Sequence, residues 1–302
     1  MLGSNIPSDF IGDEFTSFDI RKLTTIKVGG KASSFVKPKS LSDLRSLLRK
    51  KNKIKAIIGR GSNTLPSDKD VDGVIVGMSD FNKSNLLKVK NNIFTVSSGI
   101  SAPKFSKFVG NYGYSGAEFM TAIPGTIGGL LSMNAGCYGT EIWEIVKSVQ
   151  TIDFAGNLHK RTADDYNISY RCVIPKYKNE IFLSADLVLI KSTVEKVKDI
   201  IKSLMLQRIS TQPLERFSFG STFKNTKKFS AAQLIESCNL KGFKIGGAQV
   251  SLKHANFVIN ADGSASSKEI NNLIEHITNK VLNKTGIKLE REVRNLGDGF
   301  EF

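Results

Sequence analysis

Cysteine and histidine are scarce, three of each in 302 residues. Cys137, Cys172 and Cys238 lie far apart, are odd in number and form no Cys-x-x-Cys. That excludes a disulfide framework or a cysteine-rich zinc site and suits a reducing, cytoplasmic setting. His159, His254 and His276 stand at no ligand spacing, so no metal is expected and each is expected at the surface. No apolar run approaches the roughly 18 residues that span a bilayer. Met1 to Phe18 carries Asp9, Asp13 and Glu14 in place of the basic start and apolar stretch of a signal peptide, so no membrane or secretion signal is read. A basic tail is missing too. The net charge is +15, but it divides as +5, +4 and +6 over residues 1–80, 81–200 and 201–302. Charge spread this evenly, without aromatic-interleaved basic patches, disfavours nucleic acid as a partner and leaves room for a mildly positive cleft. Nothing in the sequence signals an oligomeric state.

What remains is an ordinary globular composition, 40% hydrophobic and 24% charged. Residues 1–20 show no clear period and are expected to wrap the surface. Beyond them short strands and helices alternate irregularly. Strands are expected around Phe35-Val36, Ile54–Ile58, Val74–Val76, Phe94–Ser97, Val146–Phe154, Ile181–Ile190, Phe257–Asn260 and Ile287–Leu296. Ser40-Leu41-Ser42-Asp43 opens a helix with an N-cap and an acid in its first turn. Phe105–Tyr112, Lys191–Arg208 and Ala231–Ser237 read as helices. Ser266 and Glu269 have capping-box spacing for a long helix that Gly286 stops. No βαβ unit repeats, so the fold class is α+β.

Gly59-Arg60-Gly61-Ser62-Asn63 directly follows a buried strand. Two glycines one residue apart allow a tight turn and expose successive N–H groups to an anion, with Ser62 and Asn63 as added donors. An ordinary surface turn is the competing reading of this pentapeptide. A dinucleotide fingerprint is excluded, because the third glycine is absent and Thr64-Leu65-Pro66 does not open a helix. The second loop says more. Ala122-Ile123-Pro124-Gly125-Thr126-Ile127-Gly128-Gly129 leads into Met133-Asn134-Ala135-Gly136-Cys137-Tyr138-Gly139, with five glycines between 125 and 139 and few charges. Backbone packed closely around a ligand fits this stretch better than a linker or a core element. Two such loops suit the two ends of a diphosphate-bridged cofactor.

These two loops occur in order with Asn134-Ala135-Gly136, Ser169-Tyr170-Arg171, Gly220-Ser221-Thr222-Phe223-Lys224-Asn225 and Glu292-Val293-Arg294. Together the six blocks closely resemble the UDP-N-acetylenolpyruvoylglucosamine reductase (UDP-N-acetylmuramate dehydrogenase) family of bacterial cell-wall precursor synthesis. The likeness runs from about Thr24 to Leu296. It implies a two-part FAD-binding domain of the vanillyl-alcohol-oxidase type, residues 21–80 and 81–192, then an α+β substrate domain, 193–302, with 1–20 as an extension. It implies noncovalent FAD held by Gly59, Arg60, Gly61, Ser62, Asn63, Ile123, Pro124, Gly125, Thr126, Gly128, Gly129, Asn134, Ala135 and Gly136. NADPH is the implied reductant and an enolpyruvyl ether of UDP-N-acetylglucosamine the implied substrate. Arg171 is the implied carboxylate contact, Ser221 the proton donor and Glu292 the residue that polarises the enolate. Tyr170, Lys224, Asn225 and, more weakly, Gln249 are implied substrate contacts. Strand alternation independently puts Glu290, Glu292 and Arg294 on one face. The chain departs from the pattern twice: Arg60 stands where the family usually has glycine, and only ten residues separate Arg171 from the next strand. That spacing resembles the shorter form of the family, which lacks an inserted tyrosine loop. A flavin oxidase of the same cofactor-binding superfamily and a basic nucleic-acid or cell-envelope binding protein are the alternatives. The blocks around Ser221 and Glu292 weigh against the first, and the even charge against the second.

Overall fold

A computed structural model of the chain describes residues 6–50, 53–79, 81–82 and 87–297. Six α-helices are described: α1 (Leu41–Leu48), α2 (Ala102–Asn111), α3 (Ile127–Met133), α4 (Val194–Thr211), α5 (Ala231–Ser237) and α6 (Ser267–Thr285). They pack on three main sheets, and the α+β reading holds.

The first sheet orders Asp13–Asp19, Lys31–Lys37, Val71–Gly77 and Ile54–Ile58, with the last three parallel to one another. Ser40 caps α1 as expected, its bonds with Asp43 forming a reciprocal capping box, and the helix buries Leu44, Leu47 and Leu48 against Val36, Val74 and Val76. Of the expected surface extension 1–20, residues 1–5 lie outside the described residues, and the remainder does not simply wrap the surface. Asp13–Asp19 forms the edge of this sheet, paired antiparallel with Lys31–Lys37. Phe18 packs on Phe35 at 4.7 Å between ring centroids, so cross-strand aromatic contact holds a strand that shows no clean alternation.

The second sheet is antiparallel and runs Leu158–Arg161, Val146–Asp153, Glu180–Val188, Ile93–Ser97 and Leu87–Lys90. Helices α2 and α3 cover it, burying Phe105, Val109, Ile127, Leu130 and Leu131 with Phe94, Val149 and Leu187. Helix α2 starts before the expected Phe105, because Pro103 fits its first turn. Helix α4 starts after the expected Lys191, because Thr193 accepts from the Lys196 N–H and fixes the boundary.

The C-terminal sheet orders Phe217–Ser218, Val258–Asn260, Ala248–Val250 and Lys244–Ile245. Helices α5 and α6 close its core, which also takes in Ile26, Val28 and Leu65 from the first part of the chain. The expected strand Ile287–Leu296 is not continuous. Arg291 makes a single antiparallel bridge with Phe223, and Arg294–Asn295 then pairs parallel with Thr64–Leu65. Changing partner within a few residues leaves too short a ladder on either side for one strand.

Helix α6 is secured by a reciprocal cap. The Ser266 hydroxyl accepts from the Glu269 N–H at 3.1 Å, and the Glu269 carboxylate accepts from the Ser266 N–H at 2.9 Å. Ser266→Ala should cost about 1 kcal/mol of stability. Urea titration followed by far-ultraviolet circular dichroism checks this, and an unchanged midpoint would mean that packing alone fixes the helix start.

Candidate active site

The first glycine loop is open toward a ligand. None of the backbone N–H groups from Gly59 to Asn63 is donated to another described group. Gly61 has φ +59°, and a β-carbon there would collide with the Leu23 carbonyl oxygen. The second loop abuts the first: a β-carbon on Gly59 would lie 2.5 Å from Thr126 Oγ1, and one on Gly125 would lie 3.8 Å from Ser62 Oγ. This second loop is rigid, because most of its N–H groups are used internally. Gly125 donates to the Ile123 carbonyl and Gly128 to the Ser98 carbonyl, while Gly129 donates to Thr126 Oγ1. Ile123, itself bonded to the Met120 carbonyl, and Pro124 carry the chain into α3. Two hydroxyls buried against the loops, Thr24 Oγ1 and Ser98 Oγ, have no hydrogen-bond partner among the described residues. Five open amides, two unpaired hydroxyls and a close-packed glycine turn fit a large phosphate-bearing cofactor such as FAD. Arg60 is exposed at the turn. Gly61→Ala should therefore misshape the turn, and the purified variant should carry less than wild-type flavin at unchanged circular dichroism. A full 450 nm flavin band would show that the loop does not touch the cofactor.

Beyond α3, Asn134 sits at φ +47° and is 2% exposed. Its amide donates to Glu141 and to the Ser169 carbonyl, and its Oδ1 accepts from the Trp143 N–H. Its side chain thus anchors neighbouring backbone, while Ala135 bonds back to Leu130. Its main job in the structure is to hold the hairpin Tyr166–Ser169/Cys172–Pro175, whose two-residue turn is Tyr170-Arg171.

Arg171 adopts φ +55° at that turn, a left-handed conformation that costs a non-glycine residue about 1 kcal/mol or more. Such strain is retained where the side chain is needed in one place. Its Nη2 donates to the Gly136 carbonyl at 2.6 Å and its Nη1 to the Asn134 carbonyl at 3.4 Å. Its Nε donates to Glu292 at 3.0 Å, with both side chains largely buried. Burial pushes the Glu292 carboxyl above the usual glutamate range, and the adjacent Arg171 charge offsets this only partly.

Two backbone contacts bring the remaining residues here. Glu292 N–H donates to the Thr222 carbonyl, and Lys224 N–H donates to the Glu290 carbonyl, so Gly220–Lys224 lies along Glu290–Glu292. Asn256 clamps the other side, bonding both the N–H and the carbonyl of Phe223. Ser221 stands between φ +80° Gly220 and buried Thr222, and its hydroxyl has no hydrogen bond to a described group. Asn63 closes the circle, donating to the Glu292 carbonyl at 3.1 Å.

Tyr170, Lys224 and Asn225 line one cavity of about 390 Å³ together with Cys172, Lys288 and Glu290. The Arg171 guanidinium stands 4.9 Å from the Tyr170 ring centre. Gln249 is not brought to this cavity; its amide donates to the Gly242 carbonyl. Sequence reasoning missed Glu141, Lys288, Thr24 and Ser98, none of which stands in a recognisable motif. The histidines are half-buried and not at the surface: His159 bonds Asp153, His254 Nδ1 accepts from the Asn256 N–H and His276 stacks on Phe243. Among the described residues no cluster of His, Cys, Asp or Glu could hold a metal ion, and no helix is long and apolar enough to cross a membrane.

The loops and the cradle they form define a flavoprotein, and a family model described as "FAD binding domain" matches residues 32–161. A second, described as "UDP-N-acetylenolpyruvoylglucosamine reductase, C-terminal domain", matches residues 212–296. A UDP-N-acetylenolpyruvoylglucosamine reductase of Legionella pneumophila (strain Corby) is 39% identical over 281 residues, covering 92% of this chain and 91% of its own length. One from Orientia tsutsugamushi (strain Ikeda) is 38% identical, with 95% of both chains covered. The crystal structure of the Thermus caldophilus enzyme of the same name superposes with a TM-score of 0.79 at 25% identity, over 94% of this chain and 98% of the other. The chain belongs to the UDP-N-acetylenolpyruvoylglucosamine reductase family: it is an FAD-dependent oxidoreductase of peptidoglycan precursor synthesis.

The raised Glu292 gives a signed expectation. The folded state holds this proton more tightly than the unfolded chain, so the group's stabilisation is full below the unfolded value and is lost as pH rises through the folded one. Urea unfolding of wild type and Glu292→Gln across acid to neutral pH should show wild type losing ground to the variant as pH rises. A difference that does not change with pH would mean the carboxyl is unshifted.

Proposed function

We propose that Arg171, Ser221 and Glu292 reduce the enolpyruvyl ether of UDP-N-acetylglucosamine to the lactyl ether, with NADPH as the reductant and the cytoplasm as the setting. One observation carries this reading: the buried Arg171–Glu292 pair and the unbonded Ser221 hydroxyl are gathered on adjoining backbone beside both glycine loops. When bound, FAD supplies the hydride, received from NADPH, to the vinyl carbon of the substrate. Gly59–Asn63 would hold the cofactor's phosphates through their open N–H groups, and Gly125–Gly129 with Asn134–Gly136 would wall its other side.

The protein's own residues handle the charge that follows. Negative charge develops on the carbon next to the vinyl terminus and on its carboxylate. Two of the five Arg171 N–H groups are not spent on Glu292, Asn134 or Gly136, and these receive the substrate carboxylate. Glu292 keeps the guanidinium oriented and, in its protonated form, donates a hydrogen bond to the enolate oxygen. Ser221 gives its proton to the carbanion-like carbon and regains one from solvent. Tyr170, Lys224 and Asn225 hold the nucleotide sugar in the cavity alongside. In this reading residues 21–80 and 81–192 form the two parts of the cofactor domain and 193–302 the substrate domain.

Ser221→Ala separates the two halves of the reaction. Bleaching of flavin absorbance by NADPH should stay near wild type, because that step needs no proton from Ser221. Recovery of absorbance on adding the enolpyruvyl sugar should slow by roughly 10²–10⁴-fold, the usual range for a positioned general acid. Ser221→Cys should restore much of it, since a thiol also carries a transferable proton. Anaerobic stopped-flow absorbance measures both steps. Equal slowing of both, or of neither, would make Ser221 structural.

A further inference from the structure

The cavity beside the Arg171–Glu292 pair holds two charges, on Lys288 and Glu290, to which the proposed reaction gives no part. Lys224 keeps 19% of its side chain exposed and its ammonium meets Glu290, whose side chain is 71% exposed, at 2.5 Å. The pair is unequal. Glu290 can swing into water at little cost, whereas Lys224 would be left largely desolvated, with only the Glu292 carboxyl, already paired with Arg171, within reach of its charge among the described residues. Lys288 lies two residues before Glu290 and lines the same cavity. Its ammonium has neither a hydrogen bond nor an ion pair with any described residue. Two cations and one exposed carboxylate therefore share this cavity with Tyr170 and Asn225.

We propose that Glu290 is a surrogate anion: it occupies Lys224 until the diphosphate of the nucleotide sugar takes its place, and Lys288 receives the second phosphate. The proposal rests on reading this cavity as the substrate site. A phosphate oxygen satisfies Lys224 as Glu290 did, so the exchange leaves no buried ammonium unpaired at any stage. The released Glu290 side chain has water to enter. A neutral nucleoside carries no group to exchange with Glu290, so its binding does not depend on that carboxylate. Lys288 gives the diphosphate its advantage over a single anionic group.

The test is equilibrium titration of the FAD-loaded protein with UDP and with uridine, by calorimetry, in wild type, Glu290→Gln and Lys288→Ala. Rim-exposed charge pairs are worth up to about 1 kcal/mol, which converts to about fivefold in a dissociation constant. Glu290→Gln should bind UDP about two- to fivefold more tightly, because the competitor is gone. Lys288→Ala should bind it about two- to fivefold more weakly. Uridine should bind all three proteins alike. Unchanged or weaker UDP binding by Glu290→Gln overturns the proposal, as does a change in uridine affinity that parallels that of UDP. Wild-type protein that binds no UDP removes the cavity assignment itself and the proposal with it. Binding by wild type without tightening in Glu290→Gln removes only the surrogate anion.

Discussion

One run of backbone, Glu290 to Leu296, is bonded on both sides, and the site exists because of it. On one side it meets the Thr222 and Lys224 backbone. On the other it meets Asn63, Thr64 and Leu65. Neither contact is a long ladder, and each replaces what a continuous strand would provide. The gain is placement: along this run Glu292 meets Arg171 of the hairpin, Glu290 lines the cavity and Arg294 Nη2 reaches the Ser132 carbonyl in α3 at 3.5 Å. Leu289, just before this run, and Val293, within it, are buried in the C-terminal core. Core packing therefore fixes the register of the functional face.

The Arg171–Glu292 pair is then a consequence of two anchors that do not belong to it. Arg171 is thrown outward by a left-handed turn, and that turn is held by Asn134 through the Ser169 carbonyl. Glu292 is held through its own backbone. Removing two charges from water is unfavourable unless every donor and acceptor is met. Here carbonyls of the second glycine loop take two arms of the guanidinium and the carboxylate takes a third. The second loop thus serves as an acceptor surface for the arginine, in addition to the cofactor wall proposed for it.

Much of the architecture was legible in the sequence. The caps at Ser40 and Ser266, the stop at Gly286 and the strand Ile54–Ile58 are local signals, and local signals survive folding. What was not legible depends on distant partners. Asp13–Asp19 is a strand only because Lys31–Lys37 offers it an edge, and Ile287–Leu296 is broken because it changes neighbours midway. Lys288 gave no signal because its interest comes from what stands around it. Gln249, chosen from its place in a motif, turns its amide to a nearby turn.

The bond from Asn63 to the Glu292 carbonyl joins residues 229 positions apart. Its consequence belongs to biosynthesis. A growing chain emerges from the ribosome with its first glycine loop early, and domains fold as they appear. Until residue 292 has been made, that loop has no Glu292 segment to close against, and neither Arg171 nor Ser221 has its neighbour. Closing so wide a span adds only slowly to the entropy to be overcome, since each doubling of length adds about 0.6 kcal/mol. Such distant contacts nevertheless form late. The Asn63–Glu292 bond therefore requires nearly the whole chain to have been synthesised before the two segments can meet.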